Sequence, residues 1–153
     1  MRSQRLDPLL RVKQQRQDDA ARTVAERDRA LTEQEARLEA LRQYAAEYAA
    51  PAATAGTTLA PALLANRLAF RERLDAAVDQ QRQIVDSNRE HCDVERARLL
   101  LASRETHVLE KLKASYRAEE SRTAEKHVQR ELDDIGARRL RAARVANDSE
   151  SIP

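Results

Sequence analysis

The sequence predicts an all-α fold, a long two-helix antiparallel coiled-coil hairpin whose second helix overhangs the first. Three observations predict it: a composition biased to helix formers, two long stretches in which apolar residues recur at alternating steps of three and four, and one Pro- and Gly-containing break between them. Charged residues make up 35% of the 153 and aromatic residues 3%, with one Phe and no Trp, so a deep globular core is excluded. High charge with few aromatics is also the signature of disorder. The net charge of +2 and the regular aliphatic spacing favour folding.

Helix one is predicted over about residues 8–50. Asp7 is placed to cap it, with Pro8 following where a missing N–H costs nothing. A seam runs through Leu6, Leu10, Lys13, Gln17, Ala20, Val24, Arg27, Leu31, Gln34, Leu38, Leu41, Ala45 and Tyr48. Nine of these thirteen positions are apolar, which is enough to hold a heptad pattern along the whole segment.

Residues 51–60 are predicted to form the loop at the hairpin tip, because the segment from Pro51 to Pro61 holds two Pro residues and Gly56. Thr57 or Thr58 can cap helix two, which is predicted over about residues 61–146. Its seam passes through Leu74, Val78, Gln81, Val85, Asn88, Cys92, Glu95, Leu99, Ala102, Thr106 and Leu109. Gln17, Gln34, Gln81 and Asn88 are expected to set register at some cost in stability.

A turn centred near Ala55 would bring Leu6 opposite about Glu105 at equal rise per residue. Helix two then loses its partner beyond about Leu112 and overhangs for about 34 residues, or ~50 Å. Val128, Leu132, Ile135 and Leu140 give the overhang a weak apolar stripe, and Arg138, Arg139, Arg141 and Arg144 follow without an acid among them. Residues 147–153 are expected to be a disordered tail, and the whole chain one elongated domain.

No stretch approaches the ~20 apolar residues that span a bilayer, and the opening residues lack the apolar segment of a secretory signal, so a cytoplasmic location is expected. The single Cys rules out an internal disulfide and fits a reducing compartment. A two-helix hairpin also has no pocket in which catalytic groups converge, so no enzymatic activity, cofactor or metal is expected. His91 and Cys92 point about 100° apart on a helix, and His107 and His127 are isolated.

Near the tip, apolar residues exceed what one seam requires. Tyr44 lies beside Leu41 and Tyr48, while Phe70, Ala77 and Ile84 flank Leu74, Val78 and Val85. Two readings fit this excess: a wider hairpin core, or a surface that binds a partner.

The opening RLDPLLRVKQQRQDDAAR, the helix ending LRQYAAEY, the short loop and then LAFRERLDAAVDQQ resemble the flagellar export protein family FliJ, from about Arg2 to Val145. Leu6 stands where members often carry Phe. The resemblance implies a two-helix coiled coil similar to the central stalk of rotary ATPases. It would bind the hexameric flagellar export ATPase, promote its assembly and activity, couple it to the cytoplasmic domain of the membrane export gate, and assist the cycling of export chaperones. A cytoplasmic protein, peripheral at the inner membrane through its partners, is implied.

Carried onto this sequence, the gate-facing patch would be Leu41, Tyr44, Tyr48, Phe70, Leu74 and Ala77. The remote end, with Arg5, Arg11, Lys13 and Arg16 and the overhang bearing Arg138, Arg139 and Arg141, would enter the ATPase ring. Rival readings are the equivalent stalk of a virulence injectisome, a self-assembling coiled-coil scaffold, and a nucleic-acid binder acting through the arginine cluster. Interleaved acids and bases elsewhere argue against a sustained nucleic-acid surface.

Overall fold

A computed structural model of the chain describes residues 1–49 and 60–151. Three helices account for nearly all of them: α1 (Arg2–Arg5), α2 (Asp7–Ala49) and α3 (Pro61–Glu150), with no strand among the described residues. The fold is all-α, as its composition and period predict. The expected loop and the capping threonines, Thr57 and Thr58, fall outside the described residues. No described helix is long and apolar enough to cross a membrane.

The chain divides into two compact units, residues 14–104 and residues 1–13 with 105 onward. In the 14–104 unit, α2 and α3 pair antiparallel. Tyr44 meets Phe70, Gln34 meets Gln81, and Asp28 meets Arg96, so numbers fall along one helix as they rise along the other. The core is narrow. Leu38, Val78 and Val85 form it, with Leu31, Leu41 and Ala45 packed against them.

Every α3 seam position predicted in this unit is buried or half-buried, from Leu74 through Ala102. On α2 the seam departs from prediction at one place, since Arg27 is exposed and Asp28 takes the inward position. The charged head of Arg27 is costly to bury unpaired, whereas Asp28 sits 2.9 Å from the Arg96 guanidinium. Gln81 is buried, and its side-chain amide donates to the Gln34 carbonyl at 3.1 Å and to Gln34 Oε1 at 2.8 Å. That pair leaves no unsatisfied donor in the seam there, which is how a buried amide specifies one alignment.

In the other unit, three contacts define the pairing: Lys13 with Glu105 at 2.7 Å, Asp7 with Lys113 at 2.5 Å, and Ser3 with Glu120. Lys13, not Leu6, therefore meets Glu105. The expected register, which takes the turn length alone as its guide, is corrected because interlocking side chains set the alignment. Pairing consequently persists to Glu120 instead of ending near Leu112. From Ser121 to Glu150 every residue of α3 is exposed. The helix also runs to Glu150, past the expected start of a disordered tail at residue 147; Ser149 and Ser151 hydroxyls bond carbonyls of the last turn and extend its ladder.

The start of helix one differs from expectation as well. Asp7 is the first residue of α2, and its carboxylate turns to Lys113 instead of capping the helix. Upstream, α1 continues the path through Leu6 in right-handed helical conformation. Pro8 explains the break between α1 and α2, because it lacks the N–H that would carry the ladder across. The Lys113 ammonium holds the Asp7 carboxyl below its ordinary value.

Ser3 lies one heptad before Leu10, so it continues the seam, and it is buried. Its backbone N–H and hydroxyl donate to the two oxygens of Glu120 at 3.1 and 2.6 Å, and these bonds lower the Glu120 pKa. A lowered carboxylate gives stability that is present above its ordinary value of 4.5 and lost as pH falls through the lower folded-state value. Glu120→Gln should raise amide exchange at Ser3 a few fold at neutral pH; exchange equal to the parent's would show that the carboxylate does not hold this end.

Candidate functional surface

Heptad geometry gives the 14–104 unit two unlike faces. With Leu38, Val78 and Val85 at a, residues Asp28, Glu35, Arg89 and Arg96 all fall at e, while Tyr44, Phe70, Ala77 and Ile84 fall at g. In an antiparallel pair e meets e and g meets g. The e side is laced by Asp28–Arg96 and Glu35–Arg89 at 2.9 and 3.2 Å. Towards the tip, at Tyr44, Phe70, Ala77 and Ile84, the g side carries rings and aliphatic groups instead.

Three rings make up the centre of that side. Tyr48 and Phe70 have centroids 4.7 Å apart, Tyr44 and Tyr48 5.2 Å, and Tyr44 and Phe70 6.3 Å in an edge-on arrangement. Such tilted and edge-on contacts suit ring quadrupoles and hold the cluster rigid. The Tyr44 phenol is held above its ordinary pKa by its hydrogen bond to Tyr48 and by the charge on Glu47. Tyr44 is 44% exposed and Phe70 37%, so neither is consumed by the core.

The predicted tip residues are thus brought together but divide by depth. Leu74, at 7% exposure, is a core residue beneath the cluster. Leu41, Tyr48 and Ala77 are half-buried supports, and only Tyr44 and Phe70 present substantial surface. Beside them lies a shallow groove of about 500 Å³ lined by Arg37, Ala40, Leu41, Tyr44 and Gln81. Sequence reasoning misses Arg37 and Ala40, although both lie within a turn of Leu41 on the side that Tyr44 occupies. Arg67 reaches across to the Tyr48 carbonyl at 3.5 Å, a second tie between the helices.

The predicted basic residues are more dispersed. Arg5, Arg11, Arg16, Arg138, Arg139 and Arg141 are exposed, while Lys13 is half-buried against Glu105. Ser3 pairs with Glu120, and Arg138 lies 18 residues further along α3, about 27 Å at helical rise. The amino-terminal and carboxy-terminal basic groups do not form one cluster.

Other reactive side chains have ordinary structural surroundings. Cys92 is buried, and desolvation together with the charge on Asp28 pushes its thiol pKa up, which disfavours the thiolate. No group of three His, Cys, Asp or Glu able to hold a metal occurs among the described residues.

Comparison with known protein families decides what this arrangement belongs to. The family model described as "Flagellar FliJ protein" matches residues 1–144. The chain belongs to the FliJ family. No curated protein and no solved structure matches it. Membership makes it a component of the flagellar type III export apparatus, associated with the export machinery, in a family of non-enzymatic export components. The FliJ match covers both units, including the aromatic cluster, the Ser3–Glu120 clamp and most of the exposed carboxy-terminal part of α3.

Proposed function

We propose that this FliJ-family chain is a stalk-like adaptor of flagellar export, binding the cytoplasmic domain of the export gate through its aromatic face and the hexameric export ATPase through the unit that contains both chain ends. The observation that carries the reading is the asymmetry of the 14–104 unit, ion-paired on one side and ring-bearing on the other. A self-sufficient helical pair has no need of exposed Tyr and Phe on one side only. Tyr44 and Phe70 are contact residues, Leu41, Tyr48 and Ala77 position them, and Leu74 supports them from the core.

For the ATPase, the basic residues Arg5, Arg11, Arg138, Arg139 and Arg141 of the unit that contains both chain ends supply the attraction, joined by Arg16 at the start of the 14–104 unit, while Lys13 is already engaged by Glu105. Binding that differs between conformations of the ring subunits biases the ring toward its assembled, active form. Assistance with chaperone cycling belongs to the same adaptor role, carried out in the cytoplasm at the face of the inner membrane. The flagellar family match favours this system over the injectisome.

Purified export ATPase from the same organism, assayed with and without the chain, tests the ring contact. Hydrolysis and hexamer content should rise together, and truncation after Glu120 should remove most of the increase. Hydrolysis unchanged by the full chain, under conditions where the ATPase turns over, would refute the contact.

A further inference from the structure

The part of α3 from Ser121 to Glu150 is exposed throughout, with no cover from other described residues, yet it is not uniformly polar. Val128, Leu132 and Ile135, each about half exposed, follow one another at steps of four and three. They define a seam of their own, offset from the one that packs on α2 and continued by Glu125 before it and by Arg139 and Ala142 after it. Isolated helices are marginal in water, and an apolar seam on one is an incomplete interface. The charges beside this seam identify what completes it.

The geometry points to a second copy of this chain as the occupant, paired antiparallel along residues 125–142 and centred between Leu132 and Ile135. In that alignment Leu132 of each copy packs on the partner copy's Ile135, and Val128 packs on the stem of the partner copy's Arg139. Glu131 and Arg138 flank the seam at g, so each Glu131 meets the partner copy's Arg138, twice by symmetry. Glu125 and Arg139 lie in the seam one layer apart across the interface, which gives a second symmetric pair of opposite charges. Asp133 and Asp134 point outward. Gly136, at e, has open space where a Cβ would stand, so nothing inside the chain accounts for a glycine within this helix.

Parallel pairing of the same segments fails on the same residues. It would set Arg139 against Arg139 and Glu125 against Glu125 in the seam, and would leave Glu131 beside Gly136, where there is no charge to meet. Charge pattern therefore selects both the partner and its direction. The inference rests on α3 alone and is independent of the gate contact, but it shares Arg138 and Arg139 with the ATPase contact proposed above, so the dimer and the ring compete for this segment.

Sedimentation equilibrium of the full chain tests it. A monomer–dimer equilibrium should appear at roughly 10–100 µM, with six aliphatic side chains at its centre. Glu131→Arg should weaken the dimer about tenfold or more by placing like charges in both symmetric contacts. The double variant Glu131→Arg with Arg138→Glu should restore it, since the swapped pair is again complementary across the two-fold axis. Helicity by circular dichroism accompanies each variant, so that loss of the helix is separated from loss of the contact. A chain that stays monomeric at about 500 µM overturns the proposal. So does a dimer indifferent to Glu131→Arg, or one that the double variant fails to restore, because the contact would then lie elsewhere. A monomeric chain in which Glu131→Arg reduces ATPase binding would assign the stripe to the ring instead.

Discussion

Val85→Asp should lower the thermal midpoint of the 14–104 unit by about 10 °C or more and leave it largely unfolded at physiological temperature. Val85 is 1% exposed and packs with Leu38 and Val78 in a core with few other fully buried side chains. A carboxylate there lies between uncharged seam layers, Gln81 and Asn88, while Arg82 and Arg89 are directed outward to Asp79, Asp86 and Glu35, and an unpaired buried charge costs about 3 kcal/mol or more. In a unit of this size each kcal/mol moves the midpoint by about 4–8 °C. Val85→Ala removes methyl groups without adding charge and should cost about 1–2 kcal/mol. Melting followed by circular dichroism distinguishes the two. An aspartate variant melting within a few degrees of the parent would mean that this narrow seam does not carry the unit's stability.

Tyr44→Ala combined with Phe70→Ala should weaken binding to the purified cytoplasmic domain of the export gate by roughly several hundredfold, with helicity unchanged. Aromatic anchors of this kind commonly contribute about 2 kcal/mol each when truncated, and these two have the exposure needed to reach a partner. The opposite face supplies the control. Glu35→Ala with Arg89→Ala removes an exposed ion pair whose own contribution is small. It should change gate affinity by less than about threefold. Calorimetric titration of both double variants measures the contrast. Equal losses from the two faces would remove the argument from asymmetry, and loss of helicity in the aromatic variant would return its rings to the core.

Much of the fold and of the candidate surface is legible in the sequence. The seam of α3 can be read residue by residue from Leu74 to Leu109, because a heptad repeat is a local property of one helix. Leu38, Val78 and Val85 stand on the predicted seams, and so do Gln34 and Gln81, which bond each other. The aromatic residues are visible as an excess over that repeat. Arg27 is misassigned by a strict repeat, which ignores the desolvation cost at each position; Asp28 has an opposite charge within reach in Arg96. Ser3 escapes the apolar pattern because a small hydroxyl carries no weight in it, although its spacing from Leu10 places it on the seam.

By itself, then, the sequence determined that the chain is helical, where its two long helices lie, which residues face inward and which family it belongs to. These follow from local propensity and from a period that a single helix displays without a partner. Only tertiary structure decided that Lys13 meets Glu105, that pairing reaches Glu120 through Ser3, that Leu74 is buried while Tyr44 and Phe70 remain exposed, and that Glu35 and Asp28 find Arg89 and Arg96 across the e side. The reason is physical. Register between segments far apart in sequence is the balance of many small side-chain contacts, each depending on what stands opposite, and no one helix contains that information.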